Sequence, residues 1–182
     1  LASRCLRRME AMIDRMLDVQ VLEQQASQVQ LAKTDLCQVL AQVYESFTSH
    51  ARSKHIQLHL QQSAACAMAD EHFTRLILEN LIANSLKFSP EGTNIYLACV
   101  TSGQRVQVYV KDEGPGIARE DQKKLFMKFQ RLGNKPTNGE SSTGLGLSLV
   151  KKYAEVQNAK VWCESQKGSG ATFFVEFPLA EE

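Results

Sequence analysis

The sequence predicts an α+β fold: a mixed, mostly antiparallel sheet with helices layered on one face, preceded by a long N-terminal helix. Three observations carry this. Segments with apolar residues at helical spacing alternate with short strand-patterned segments. Two pairs of strand patterns are joined by short glycine turns, 95–100 with 106–110 through Ser102-Gly103, and 160–164 with 172–177 through Gly168-Ser169-Gly170. Two glycine-rich loops lie about thirty residues apart, at 112–117 and 143–147, and neither follows the strand–GxGxxG–helix pattern of a dinucleotide-binding fold.

Composition narrows the class further. The chain has 182 residues, 43% of them hydrophobic, which suits a globular domain with an appendage. No apolar run is long enough to span a bilayer, and Leu1-Ala2-Ser3-Arg4-Cys5 does not read as a signal peptide. The chain opens on leucine and is expected to be a piece of a longer protein. A net charge of +1 gives no support to nucleic-acid binding, and Arg4, Arg7 and Arg8 read as a solvated helix face. The five cysteines have no C-x-x-C spacing and read as free thiols in a reducing compartment.

Residues 1–30 predict one helix. Cys5, Met9, Met12, Met16, Val19, Leu22, Ala26 and Val29 recur every three or four positions, without proline or glycine. So narrow a stripe needs a partner helix, and nothing adjacent in the sequence offers one. Residues 31–182 form the second unit. Thr34-Asp35 signals a helix start, and Leu36, Leu40, Val43, Phe47 and Ala51 mark its apolar face. Ile56, Leu58 and Leu60 alternate with polar residues as in a half-buried strand. Asp70 caps the next helix, with Phe73, Leu76, Ile77, Leu81 and Leu86 as its apolar positions, and Ser89-Pro90-Glu91-Gly92 ends it. After the first strand pair and first glycine loop, 123–129 predicts a short helix. Residues 130–143 are a polar loop, long enough to be functional. The second glycine loop runs into a helix containing Leu147, Leu149, Val150 and Tyr153, and the second strand pair closes the chain.

The candidate chemistry follows from residue type and spacing. Asn80, Asn84 and Lys87 fall within about 60° of one another on a helix, forming a polar stripe opposite an apolar face. Two asparagines, poor helix formers, stand four residues apart there. The Asn84 carbonyl suits Mg²⁺, a hard cation, and Lys87 can reach a phosphate. Asp112 ends a strand and opens a Gly-Pro-Gly turn; its carboxylate can accept from an exocyclic amine such as that of adenine, or it caps the turn. Gly144 and Gly146 precede a helix, where unsatisfied amides and the helix dipole bind phosphate; the other reading is a tight turn needing glycine.

These segments together resemble the sensor histidine kinases. Residues 79–89 (ENLIANSLKFS) resemble their N box, 112–117 (DEGPGI) the first glycine box, 125–131 (LFMKFQR) the F box and 143–147 (TGLGL) the second glycine box. Residues 168–173 (GSGATF) are similar to the closing strand pair of the same domain. The resemblance implies a two-layer α/β sandwich of the Bergerat (GHKL ATPase) type over about 34–179, binding ATP and Mg²⁺. It implies that Asn84 ligates the metal, Asn80 supports the phosphate side and Lys87 contacts phosphate. Asp112 would take the adenine amine, in a loop with Gly114, Gly116 and Ile117, and Gly116 would permit close approach of the base. Thr172 would assist through water. Residues 130–143 would form a lid over ATP, with Phe126 and Phe129 anchoring it and Arg131 near phosphate; Gly144, Leu145 and Gly146 would cradle the phosphates, with Thr143 and Leu147 completing the nucleotide-binding box.

Residues 1–30 then resemble the second helix of a dimerisation and phosphoacceptor domain. The implied partners are ATP, a phosphoacceptor histidine domain and a response regulator, with no nucleic acid. The implied whole protein is a homodimer, with this domain in the cytoplasm and membrane anchoring of the parent left open, as is the oligomeric state of this chain alone. One departure stands out. His50, His55, His59 and His72 are the four histidines, none in the N-terminal helix and none followed by the acidic-Arg pattern of a phosphoacceptor box. The chain is therefore expected to donate phosphate to a histidine outside it. The competing readings are a degenerate nucleotide-binding module that signals by conformation, another GHKL ATPase, and a serine kinase.

Overall fold

The computed structural model describes residues 29–61, 63, 65–128, 130, 137 and 144–180. The helix expected over 1–30 therefore lies almost wholly outside the described residues. A five-stranded sheet has the order β2 (Gln57–Gln61), β4 (Asn94–Ser102), β5 (Arg105–Asp112), β7 (Ala171–Pro178), β6 (Lys160–Ser165). Only β2 and β4 run parallel; the other three pairings are antiparallel. The mixed, mostly antiparallel sheet matches the expectation from sequence.

Three helices pack against the sheet: α1 (Leu36–Ser53), α2 (Glu71–Phe88) and α4 (Gly146–Glu155). Strand alternation fixes which side chains meet them. On β5, Val106, Val108 and Val110 are buried; opposite them on β7 stand Phe177, Val175 and Phe173, also buried. Leu36, Leu40, Val43, Ile77, Leu78, Leu81, Ile82 and Leu86 close the core from the helices. Each such side chain, fully buried, contributes on the order of 1.5–3 kcal/mol.

Helix starts follow the sequence signals. Asp35 accepts from the amides of Cys37 and Gln38, and Asp70 from that of Phe73. Asp70 also accepts from the Gln30 amide. Its own amide donates to Gln157, fully buried after α4, which also takes the Thr74 hydroxyl.

Two local features differ from expectation. Two short strands, β1 (Ala32–Asp35) and β3 (Cys66–Ala69), pair antiparallel as a separate ribbon. At four residues each they are too short to show a period. The helix expected over 123–129 is displaced to α3 (Arg119–Gln122). The amides of Lys124, Leu125 and Met127 donate three residues back, to Asp121, Gln122 and Lys124, so the chain continues as tight turns. The described cysteines, Cys37, Cys66, Cys99 and Cys163, are free thiols, as expected from their spacing. Cys37 and Cys99 are both buried, and burial, with Cys37 nearby, pushes the Cys99 thiol well above its usual range.

Candidate nucleotide site

Asp112 ends β5 on the helix side of the sheet and is 6% exposed. Its Oδ1 accepts from the amides of Gly114 (2.9 Å) and Ala171 (3.2 Å), and its Oδ2 from the Ser85 hydroxyl (3.3 Å). Burial raises its pKa above the ordinary carboxylate value, and the three donors offset part of that rise. A buried carboxylate held by three donors is a fixed acceptor at the strand end.

The loop beyond it is clamped by the β6–β7 hairpin. Gly116 has a φ of +66°, and a Cβ there would lie 2.0 Å from the Gln166 carbonyl oxygen. The Gly168 amide donates to the Pro115 carbonyl at 2.7 Å. Ile117 donates to Ser165 Oγ at 2.8 Å, and that hydroxyl donates to the Gly170 carbonyl at 2.6 Å. Gln122 closes the arrangement, its Nε2 donating to the carbonyls of Ile117 (2.9 Å) and Ser165 (2.7 Å).

On the other side, the second glycine loop meets the polar stripe of α2. Gly144 turns the chain at φ +72°, and α4 begins at Gly146 without a side-chain cap. A Cβ on Gly146 would lie 3.2 Å from Asn80 Oδ1 and 3.8 Å from Asn84 Nδ2. Asn80 donates through Nδ2 to the Leu76 carbonyl at 2.8 Å. Uncapped amides of a helix N-terminus thus stand beside two side-chain amides, an arrangement suited to an anion and its cation. Lys87 lies a turn further on, with Nζ 5.9 Å from the Phe88 ring centroid.

The structure thus brings Asn80, Asn84 and Gly146 together, and places Asp112, Gly114, Gly116 and Ile117 in one clamped loop. Leu145 is buried, Leu147 packs against the core, and Phe126 is half-buried in the turns after α3. Phe129, Arg131 and Thr143 lie outside the described residues, as does most of 130–143.

Thr172 requires a correction. It pairs with Lys111, and Ala171 pairs with Asp112. Alternation along β7 therefore puts Thr172 on the sheet face away from Asp112, and Ala171 on the site's face. Sequence reading also missed Ser85, although a signal was there: it lies four residues after Leu81 on the buried face of α2, where a hydroxyl needs a partner. Asp112 was that partner.

The chain belongs to a known family, the histidine kinase-, DNA gyrase B- and HSP90-like ATPases, whose family model matches residues 69–181. Within that family its relatives are sensor histidine kinases. It is 30% identical over 190 residues to a sensor-like histidine kinase, ycf26, of Porphyra purpurea, covering 96% of this chain and 29% of that protein. It is 33% identical over 172 residues to the circadian input-output histidine kinase CikA of Synechococcus elongatus, covering 92% and 23% respectively. The chain thus spans less than a third of these relatives. Full-length ShkA, solved in complex with AMPPNP, is 30% identical with a TM-score of 0.73, over 85% of this chain and 32% of that one. The catalytic domain of histidine kinase ThkA is 26% identical with a TM-score of 0.72, over 82% and 96%. The Bergerat-type sandwich expected from sequence is therefore the fold of this chain.

Proposed function

We propose that this chain is the ATP- and Mg²⁺-binding catalytic domain of a sensor histidine kinase, donating the γ-phosphate to a histidine outside it. The observation that carries the reading is the approach of Gly146, at the uncapped start of α4, to Asn80 and Asn84. The complex of its relative ShkA with AMPPNP supports the choice of nucleotide.

In this reading Asp112 accepts the adenine amine, held ready by Gly114, Ala171 and Ser85. The α4 amides receive phosphate oxygens, and Lys87 adds a positive charge. The donor set fits a hard cation, because the Asn84 side chain has a carbonyl oxygen to offer beside the start of α4. Mg²⁺, when bound, neutralises charge on the phosphates and helps align the transferred group. Phosphoryl transfer needs little from the protein beyond positioning and charge, and these residues supply both.

The nucleophile is not among them. His50, His55, His59 and His72 are all exposed, and His59 stacks on Tyr96 at a centroid distance of 4.9 Å. Residues 1–30 belong, in this reading, to the dimerisation helices that carry the acceptor in the whole protein. That parent is a homodimer that passes phosphate to a response regulator, with this domain on the cytoplasmic side. No helix among the described residues is long and apolar enough to cross a membrane.

Incubation with γ-labelled ATP and Mg²⁺ tests the reading, with and without a separately supplied phosphoacceptor domain. Slow hydrolysis alone, and a labelled acceptor when it is present, are expected. A stable, acid-labile phosphate on this chain itself would contradict it.

A further inference from the structure

We propose that Lys54 is a positioning residue for the phosphate end of the site, fixing the last turn of the helix that carries Asn84 and Lys87. This rests on the nucleotide-site reading above. Lys54 lies 33 residues before Lys87 in sequence and belongs to none of the sequence boxes. Its side chain is nevertheless buried, only 4% exposed. Burying an ammonium is costly, and an apolar residue of similar volume would stabilise the fold as well or better.

What the ammonium reaches gives it a role. A helix leaves its last carbonyls without intrahelical donors. In α2 the carbonyl of Ser85 is taken by the Ser89 amide. The carbonyl of Leu86 is taken by Lys54 Nζ at 2.5 Å. The carbonyl of Lys87 is taken by Thr137, through its amide and its hydroxyl, both at 3.1 Å. Lys54 Nζ also donates to that hydroxyl at 3.3 Å. A cation at a helix C-terminus is favoured by the dipole as well as by the hydrogen bond. Lys54 and Thr137 therefore cap two carbonyls of the last turn of α2, which carries Lys87 and directly follows Asn84.

The backbone under Lys54 is fixed too. Lys54 is the C-cap of α1, and His55 follows with a φ of +54°. The His55 amide donates to the Arg52 carbonyl and the Ile56 amide to that of Ala51. This is a Schellman closure, in which glycine ordinarily takes the left-handed position. A histidine held there, with its own carbonyl accepting from Gly92, anchors the origin of the Lys54 side chain.

The chemistry sets the test. A residue that positions Asn84 and Lys87 affects ligands with phosphates and spares the nucleoside end, whereas general loosening of the fold weakens every ligand alike. Displacement of a fluorescent ATP analogue by ATP, ADP and adenosine should be measured for the parent chain, Lys54→Met, Lys54→Arg and Thr137→Val. The expected result is a loss of about tenfold in ATP affinity for Lys54→Met, equivalent to about 1.4 kcal/mol. Adenosine affinity should stay within about twofold, Lys54→Arg should recover part of the loss, and Thr137→Val should show a smaller loss in the same direction. If Lys54→Met fails to fold, Lys54→Arg and Thr137→Val carry the comparison. Equal losses for ATP and adenosine, or unchanged ATP affinity in all folded variants, would overturn the proposal. Absence of ATP binding by the parent chain would instead remove the nucleotide-site reading on which it rests.

Discussion

Asp112 and Ala171 stand opposite each other across β5 and β7, and the Ala171 amide donates to Asp112 Oδ1 at 3.2 Å. The acceptor proposed for adenine is thus held by the backbone of the strand beside it. Its other partners, Gly114 and Ser85, come from the following loop and from α2. Three elements thus converge on one carboxylate and hold it in place.

That burial has a cost in stability. The pKa of Asp112 is raised by burial, so the folded chain holds its proton to higher pH than the unfolded chain does. Between the ordinary value of about 3.9 and the raised one, the native state binds more protons, so stability falls as pH rises through that window. Asp112→Asn should remove this decline and leave the nucleotide-free domain as stable at pH 7, or more so. The same variant should lose roughly 10- to 100-fold in ATP affinity, the worth of a hydrogen bond to a charged acceptor. Thermal unfolding across pH and ATP titration check the two halves separately.

Thr172 gives the opposite expectation. Because it lies on the far face of β7, Thr172→Val should leave ATP affinity within about twofold of the parent. A fall of tenfold or more in a direct titration would return Thr172 to the site.

Much of the fold was legible because its periods are long. α1 and α2 run 18 residues each, with capping aspartates at Asp35 and Asp70, and β5 and β7 alternate over eight residues. β1 and β3, at four residues, offered no period to read. Within the site, Asp112, Asn80, Asn84 and Gly146 were legible from residue type and order. The sheet face of Thr172 was not, since it depends on register against Asp112. Neither was Lys54, whose partners Leu86 and Thr137 are 32 and 83 residues away.

Gly170 tests the clamp on the first glycine loop. Its φ is +76°, and a Cβ would lie 2.0 Å from the Asp112 carbonyl oxygen. Gly170→Ala should destabilise the domain by more than about 3 kcal/mol, combining backbone strain with displacement of β5. Denaturant unfolding reads this directly. A change below about 1 kcal/mol would mean that the hairpin yields without effort.

Gly146 separates stability from binding. Alanine there improves helix propensity, so the fold should be unharmed. Its Cβ would lie 3.2 Å from Asn80 Oδ1, crowding the stripe proposed to face phosphate. Gly146→Ala should weaken ATP about fivefold, on the order of 1 kcal/mol, without lowering the melting temperature. Parallel titration and thermal melts distinguish this from simple misfolding.

Asn84 and the start of α4 are proposed to hold together the metal–phosphate end of ATP. Calorimetric titration of ATP with and without Mg²⁺, on the parent chain and on Asn84→Ala, tests it most directly. Mg²⁺ is expected to tighten ATP binding to the parent, and Asn84→Ala to lose this gain while keeping its metal-free affinity. An Asn84→Ala variant that retains the full Mg²⁺ gain would contradict it.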